Sequence, residues 1–132
     1  MKIIVKCAAI IINQRSLLLT RKSGTNVFIS PGGKPLPGED HLSCLKRELQ
    51  EELGVQIKHF RPFGLFHGRA EFEAMAIENH VYYVEIAGQP RAGSEIEEIA
   101  WVNYRKPPCE IPVGSIFRDN VMPLLFQQEL IN

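Results

Sequence analysis

Apolar positions along the chain change period several times. Residues 3–12 are rich in β-branched residues, which predicts a strand. Asn13, Gln14 and Arg15 predict a turn, and residues 16–21 return as a second strand. Residues 22–26 are polar with one glycine and predict a loop. Residues 27–29 are a short extended segment delivering the chain to Pro31, Gly32 and Gly33. Pro35 and Pro37 keep the following residues out of a helix. From Glu39 or Asp40 the period becomes helical. Leu42, Leu45, Leu49 and Leu53 fall within about 80° of one another on a helical wheel, and Gly54 is a natural left-handed stop. Strands are predicted over 55–60, continuing in extended form over 62–67, then over 74–86 and 99–102. Residues 68–73 and 88–94 are expected as connections. Residues 117–130 predict an amphipathic helix with Pro123 in its first turn or at a kink. The pattern by itself implies an α+β fold.

Between the glycine loop and Gly54 lies the densest chemistry. The string reads Gly33, five residues, Glu39, seven residues, Arg47-Glu48-Leu49, one residue, Glu51-Glu52, one residue, Gly54-Val55. With Glu48 at zero, Glu51 lies near about −60° and Glu52 near about +40° on the wheel. One wedge beside the oily face therefore carries three anions. Two unit charges ~5.5 Å apart repel by about 3 kcal/mol at an effective dielectric of ~20, an upper figure for an exposed pair. A divalent cation bound by hard oxygens removes that repulsion, which points to Mg²⁺ or Mn²⁺.

Length and charge bound the alternatives. The chain has 132 residues, enough for one domain with a sizeable core, and one domain over 1–132 is expected. Lysine plus arginine equals aspartate plus glutamate at 15 each, so no global field attracts nucleic acid or an acidic membrane. The longest apolar run is too short to span a bilayer, and the first residues lack a small-residue cleavage site. A cytoplasmic location follows as the expectation. Cys7, Cys44 and Cys109 form no zinc-like spacing and read as reduced thiols. Cys44 lies beside the acidic wedge, where a nucleophile is the alternative reading, and is expected to be a small, partly buried filler because no histidine accompanies it in the helix. The four histidines are scattered and take no role.

The string from Gly33 to Val55 resembles the signature box of the Nudix hydrolases, with all nine fixed positions filled: Gly33, Glu39, Arg47, Glu48, Leu49, Glu51, Glu52, Gly54 and Val55. The resemblance implies a mixed sheet sandwiched between helices. It also implies Mg²⁺-dependent attack of water on a phosphorus of a nucleoside diphosphate linked to another group X. By resemblance, Glu48, Glu51 and Glu52 ligate the metal, with the Gly32 carbonyl as a further ligand, and the two glycines let backbone approach metal and phosphates. The resemblance further implies that Glu39 holds Arg47 and that Arg47 orients Glu48, the first choice for general base. In relatives the base is in some cases a glutamate of a late loop. Glu95, Glu97 and Glu98 are the candidates here, Glu98 foremost, with a solvated turn as the alternative.

Substrate contacts are read from single residues. Arg21 and Lys22 end the second strand and either hold phosphates or are exposed strand-end charges. Phe28 either stacks on a nucleobase or packs in the core. Asn120 stands near the place where some base-reading relatives carry an asparagine. Ser30 and Phe28 depart from the bulky residues common before Pro-Gly-Gly, which bears on substrate preference. Expected partners are small nucleotides, with no nucleic acid or membrane and a monomer or homodimer. A MutT-like triphosphate pyrophosphohydrolase is preferred over an ADP-ribose or nucleotide-sugar pyrophosphatase. A nucleotide-sensing binding module is the rival of another class, and intact Arg47, Glu48, Glu51 and Glu52 argue against it.

Overall fold

The computed structural model describes residues 3–69, 75–108 and 111–132. Strands β1 (Ile3–Ile10), β4 (Gly32–Gly33), β5 (Gln56–Arg69) and β6 (Ala76–Ala87) form one mixed sheet in the order β4-β1-β6-β5. Within it β1 runs parallel to β6, and the β1–β4 and β5–β6 pairs are antiparallel. A second, antiparallel sheet holds β2 (Ile12–Asn13), β3 (Ser16–Lys22) and β7 (Ile96–Val102) in the order β2-β3-β7. Helix α1 (His41–Leu53) and a C-terminal helical segment complete the layers.

The unbroken apolar runs have a direct cause. On β1, Ile4, Ala8 and Ile10 join a core with Leu17 and Leu19 of β3, Ile77 and Val81 of β6, and Phe117, Val121 and Leu125 of the C-terminal segment. Cys7, Ala9 and Ile11 join a second core with Leu18 and with Cys44, Leu45, Leu49 and Leu53 of α1. Successive strand residues point to opposite faces, so a strand covered by helices on both sides is apolar at nearly every position. This is the expected sandwich of sheet between helices.

Helix α1 begins and ends where the sequence predicts. The Asp40 carboxylate accepts the Ser43 N–H at 2.7 Å, satisfying one orphan donor of the first turn. Gly54 adopts φ 67° and returns its N–H to the Gln50 carbonyl. Three boundaries differ from expectation. Strand β5 is continuous through Gly68 and Arg69, because register shifts at Ile57/His59 and Pro62/Gly64 absorb Pro62, which has no N–H to donate. The remainder of the predicted 68–73 loop lies outside the described residues, as does Cys109. Strand β7 begins at Ile96, so Glu97 and Glu98 are strand residues rather than a turn. Finally, the C-terminal helix is split. A π-helical turn, Phe117–Val121, precedes α2 (Met122–Gln127). Pro123 sits in the first turn of α2, where its missing N–H is tolerated. The expected extension to Leu130 ends instead at Gln127, with Gln128 as the cap, and Glu129 follows at φ 61°.

The connection at 88–95 is tied to the end of α1. The Gly93 N–H reaches the Glu52 carbonyl at 2.9 Å, and the Arg91 N–H reaches the Leu53 carbonyl at 3.0 Å.

Candidate active site

Strand β4 lays Gly32 and Gly33 beside Ala8 and Cys7 of β1. Gly32 has φ +136°, and a Cβ there would lie 2.1 Å from the Cys7 carbonyl oxygen. A side chain is therefore excluded both by backbone conformation and by contact. Gly33 is needed for another reason, since its Cβ would fall 2.6 Å from Cδ of Glu48. The loop thus docks on β1 and leaves a gap that the Glu48 carboxylate fills.

Arg47 organises the acidic groups. Its Nε and Nη2 donate to the two oxygens of Glu39 at 3.0 and 2.9 Å, and its Nη1 donates to Glu48 at 2.6 Å. Nη2 also reaches the Lys34 carbonyl at 3.1 Å, and Glu51 lies 3.8 Å from Nη1. The Arg47 guanidinium, with the Leu36 N–H, holds the Glu39 carboxyl down at about 2. Glu39 in turn raises the guanidinium further above its ordinary range. The planar fork is satisfied on both edges, which a lysine ammonium cannot reproduce.

Glu52 is 6% exposed and receives the Gly32 N–H at 3.3 Å. Burial, followed by the neighbouring Glu48 carboxylate, pushes its pKa up to about 9. Desolvation and a like charge alongside both disfavour the ionised form of Glu52. Glu48, Glu51, Glu52, Gly32 and Gly33 line one cavity of about 420 Å³, together with Arg47, Lys22 and Lys34. Among the described residues no three carboxylate, thiolate or imidazole groups are already drawn into a metal cage. The donor set is nevertheless the one a hard cation takes: carboxylate oxygens of which one pair is in mutual repulsion.

The structure separates the other sequence candidates. Lys22 lines the cavity and Arg21 does not. Neighbouring residues on a strand face opposite ways, and Arg21 instead pairs with Glu98 across the β3–β7 ladder at 3.1 Å. Glu98 is therefore occupied away from the acidic wedge, and Glu97 accepts from the Ser23 hydroxyl at 3.1 Å. Of the three late glutamates, Glu95 is the one that lines the cavity. Phe28 is 2% exposed within the first core, which answers the choice between stacking and packing in favour of packing. Asn120 is exposed on the π-helical turn and takes no part in the cavity lining. Cys44 is fully buried, with its thiol toward the Gly33 carbonyl and its pKa pushed up to about 12 by burial, so it is a filler.

Sequence reading missed Lys6, Asn79, Ile77, Ile96 and Ile116, all of which line the cavity. Asn79 left a signal: it interrupts the apolar face Ile77, Val81, Tyr83 of an alternating strand.

Comparison with known proteins gives the family and the fold. The NUDIX domain family profile matches residues 3–125. The chain belongs to the NUDIX domain family, whose members are hydrolases of pyrophosphate bonds. Its fold is similar to that of a MutT NUDIX hydrolase from Burkholderia pseudomallei, with TM-score 0.76 and 19% identity over 97% of this chain and 98% of that one. The E. coli ORF135 protein superposes with TM-score 0.68 and 26% identity over 98% and 90% of the two chains. A UDP-X diphosphatase gives TM-score 0.78 and 19% identity, covering 97% of this chain and 63% of the other.

Proposed function

We propose that this chain hydrolyses a nucleoside diphosphate linked to a further group X, using Mg²⁺ or Mn²⁺, with a nucleoside triphosphate as the favoured substrate class. One observation carries the reading. A buried Glu52 carboxyl beside Glu48, whose own carboxylate the Arg47 fork holds, lines the same cavity as Lys22. Glu48, Glu51, Glu52 and the Gly32 carbonyl are the groups to hold the cation. When bound, the cation neutralises charge on the phosphoryl oxygens. Lys22 binds a phosphate oxygen. Arg47 fixes the Glu48 carboxylate, which accepts the proton of the attacking water as the new P–O bond forms and the bridging P–O bond breaks. The leaving phosphate departs with the bridging oxygen. Most of the rate then comes from placement and charge. A nucleotide sugar or ADP-ribose is the second substrate class, and the fold-level likeness to both a MutT hydrolase and a UDP-X diphosphatase makes both classes part of the test.

A panel of nucleoside triphosphates, nucleotide sugars and ADP-ribose, assayed with Mg²⁺, should give turnover that chelator abolishes. At saturating Mg²⁺, Glu48→Gln should lose at least ~10²-fold in kcat, the lower end of general-base contributions. Full turnover under chelation refutes the reading. A larger loss from Glu95→Gln than from Glu48→Gln moves the base to the late loop.

A further inference from the structure

The cavity holds a polar group that the hydrolytic machinery leaves unused. Asn79 lies in the middle of β6, opposite Lys6 of β1 and Phe66 of β5. It is 6% exposed, and its Oδ1 is, among the described residues, the buried side-chain polar atom without a hydrogen-bond partner. Its neighbours on the same strand face, Ile77 and Val81, belong to the apolar core. Alternation alone would place a valine or isoleucine there. Buried amides are almost always satisfied, and one left open in an apolar setting lowers stability unless something arrives to fill it. Asn79 lines the cavity that also holds Glu48 and Glu52, and Ile77, Ile96, Ile116 and Phe117 contribute apolar lining.

We infer that Asn79 is the base-reading residue of this site: its side-chain amide pairs with a nucleobase edge that carries an N–H donor beside an acceptor. The inference rests on the nucleotide reading above and adds which residue recognises the base. The chemistry is specific. Oδ1 accepts and Nδ2 donates, so a planar heterocycle offering the complementary pair satisfies both atoms. The ring itself lies against isoleucine and phenylalanine. A ribose or inorganic phosphate offers no such planar edge. Neither Phe28, locked in the core, nor exposed Asn120 can substitute.

The experiment uses the near-isosteric Asn79→Leu. Binding of the four nucleoside monophosphates and of ribose 5-phosphate is measured by calorimetry, and the Asn79 side-chain amide resonances are followed by NMR in the wild-type protein. At least one monophosphate should shift those resonances and bind about tenfold more weakly to Asn79→Leu, in line with losing two neutral hydrogen bonds. Ribose 5-phosphate should bind both proteins alike. The variant should melt no lower than wild type, because it removes an unsatisfied amide. Equal affinity of wild type and variant for every monophosphate overturns the inference, as does an equal loss of ribose 5-phosphate binding. Turnover with Mg²⁺ is measured alongside. If wild-type protein binds a base through Asn79 yet hydrolyses no nucleotide, the hydrolytic reading fails and the base-reading role stands.

Discussion

Two adjacent glycines, replaced separately by alanine, should fail in different ways. In Gly33→Ala the new methyl falls 2.6 Å from Cδ of Glu48 and 2.8 and 2.9 Å from its oxygens. The backbone of Gly33 is not left-handed, and the obstacle is the end of a side chain, so the fold can accept the change. To regain an ordinary contact of 3.4 Å the carboxylate must retreat by about 0.8 Å. A shift of that size is enough to carry its 2.6 Å bond to Arg47 past the ~3.2 Å limit of a good hydrogen bond. Misplacement near 1 Å of a reacting group costs on the order of 10² in rate. The expected result is a melting temperature within a few degrees of wild type and a kcat about 10²-fold lower. Gly32→Ala instead sets a methyl 2.1 Å from the Cys7 carbonyl at φ +136°. Backbone cannot swing aside as a carboxylate can, so the fold should lose more than about 3 kcal/mol, or roughly 10 °C in Tm. Thermal melts and kcat at saturating Mg²⁺ read both variants. Wild-type kcat in Gly33→Ala, or equal melting losses in the two variants, refutes the reasoning.

Arg47→Lys keeps the charge but cannot bridge Glu39 and Glu48, and kcat should fall at least about tenfold, or ~1.4 kcal/mol of transition-state stabilisation; an unchanged kcat in a folded variant would reduce Arg47 to a surface charge. The metal-free protein should also show an unusual pH profile. The Glu52 pKa is raised from 4.5 to about 9, so its contribution to stability is full below ~4.5 and is lost as pH rises through about 9. Urea midpoints in chelator should decline across that window, and Glu52→Gln should flatten the decline; the same slope in both proteins would contradict the assignment. Glu39 works in the opposite sense. Lowered to about 2, its contribution is present above ~4.5 and lost as pH falls toward 2, and Glu39→Gln should blunt that acid limb.

The parts of the site that came from one local stretch were legible. Asp40, Gly54, the leucine stripe and the three glutamates share one helix, and helical geometry is local. Parts that depend on a partner strand were not. Glu98 looked available because its answering charge, Arg21, is 77 residues away in sequence and meets it only through the β3–β7 register. Glu95 and Glu98 carry the same carboxylate, and only the strand's start at Ile96 separates the one in the cavity from the one on the ladder. The sequence leaves Phe28 equally a stacker or a core residue, and its burial among core residues distant in sequence, beside a bridge to Val113, makes it core. The split at Pro123 followed from a rule of local chemistry, but the widened turn before it did not, because nothing in residues 117–121 forbids an ordinary helix.

The two main-chain bonds from Gly93 and Arg91 to the carbonyls of Glu52 and Leu53 have a mechanical consequence. Loops beside active sites are commonly thought of as doors that swing on their own hinges. Here the segment bearing Ser94 and Glu95 is bolted to the helix terminus that carries Glu51 and Glu52, with Gly93 so close that a Cβ would lie 2.9 Å from the Glu51 carbonyl. Opening it means breaking both bonds and leaving two carbonyls at the end of α1 unsatisfied. Glu95 is therefore tethered to the helix end that carries Glu51 and Glu52, and its place in the cavity is set by that end.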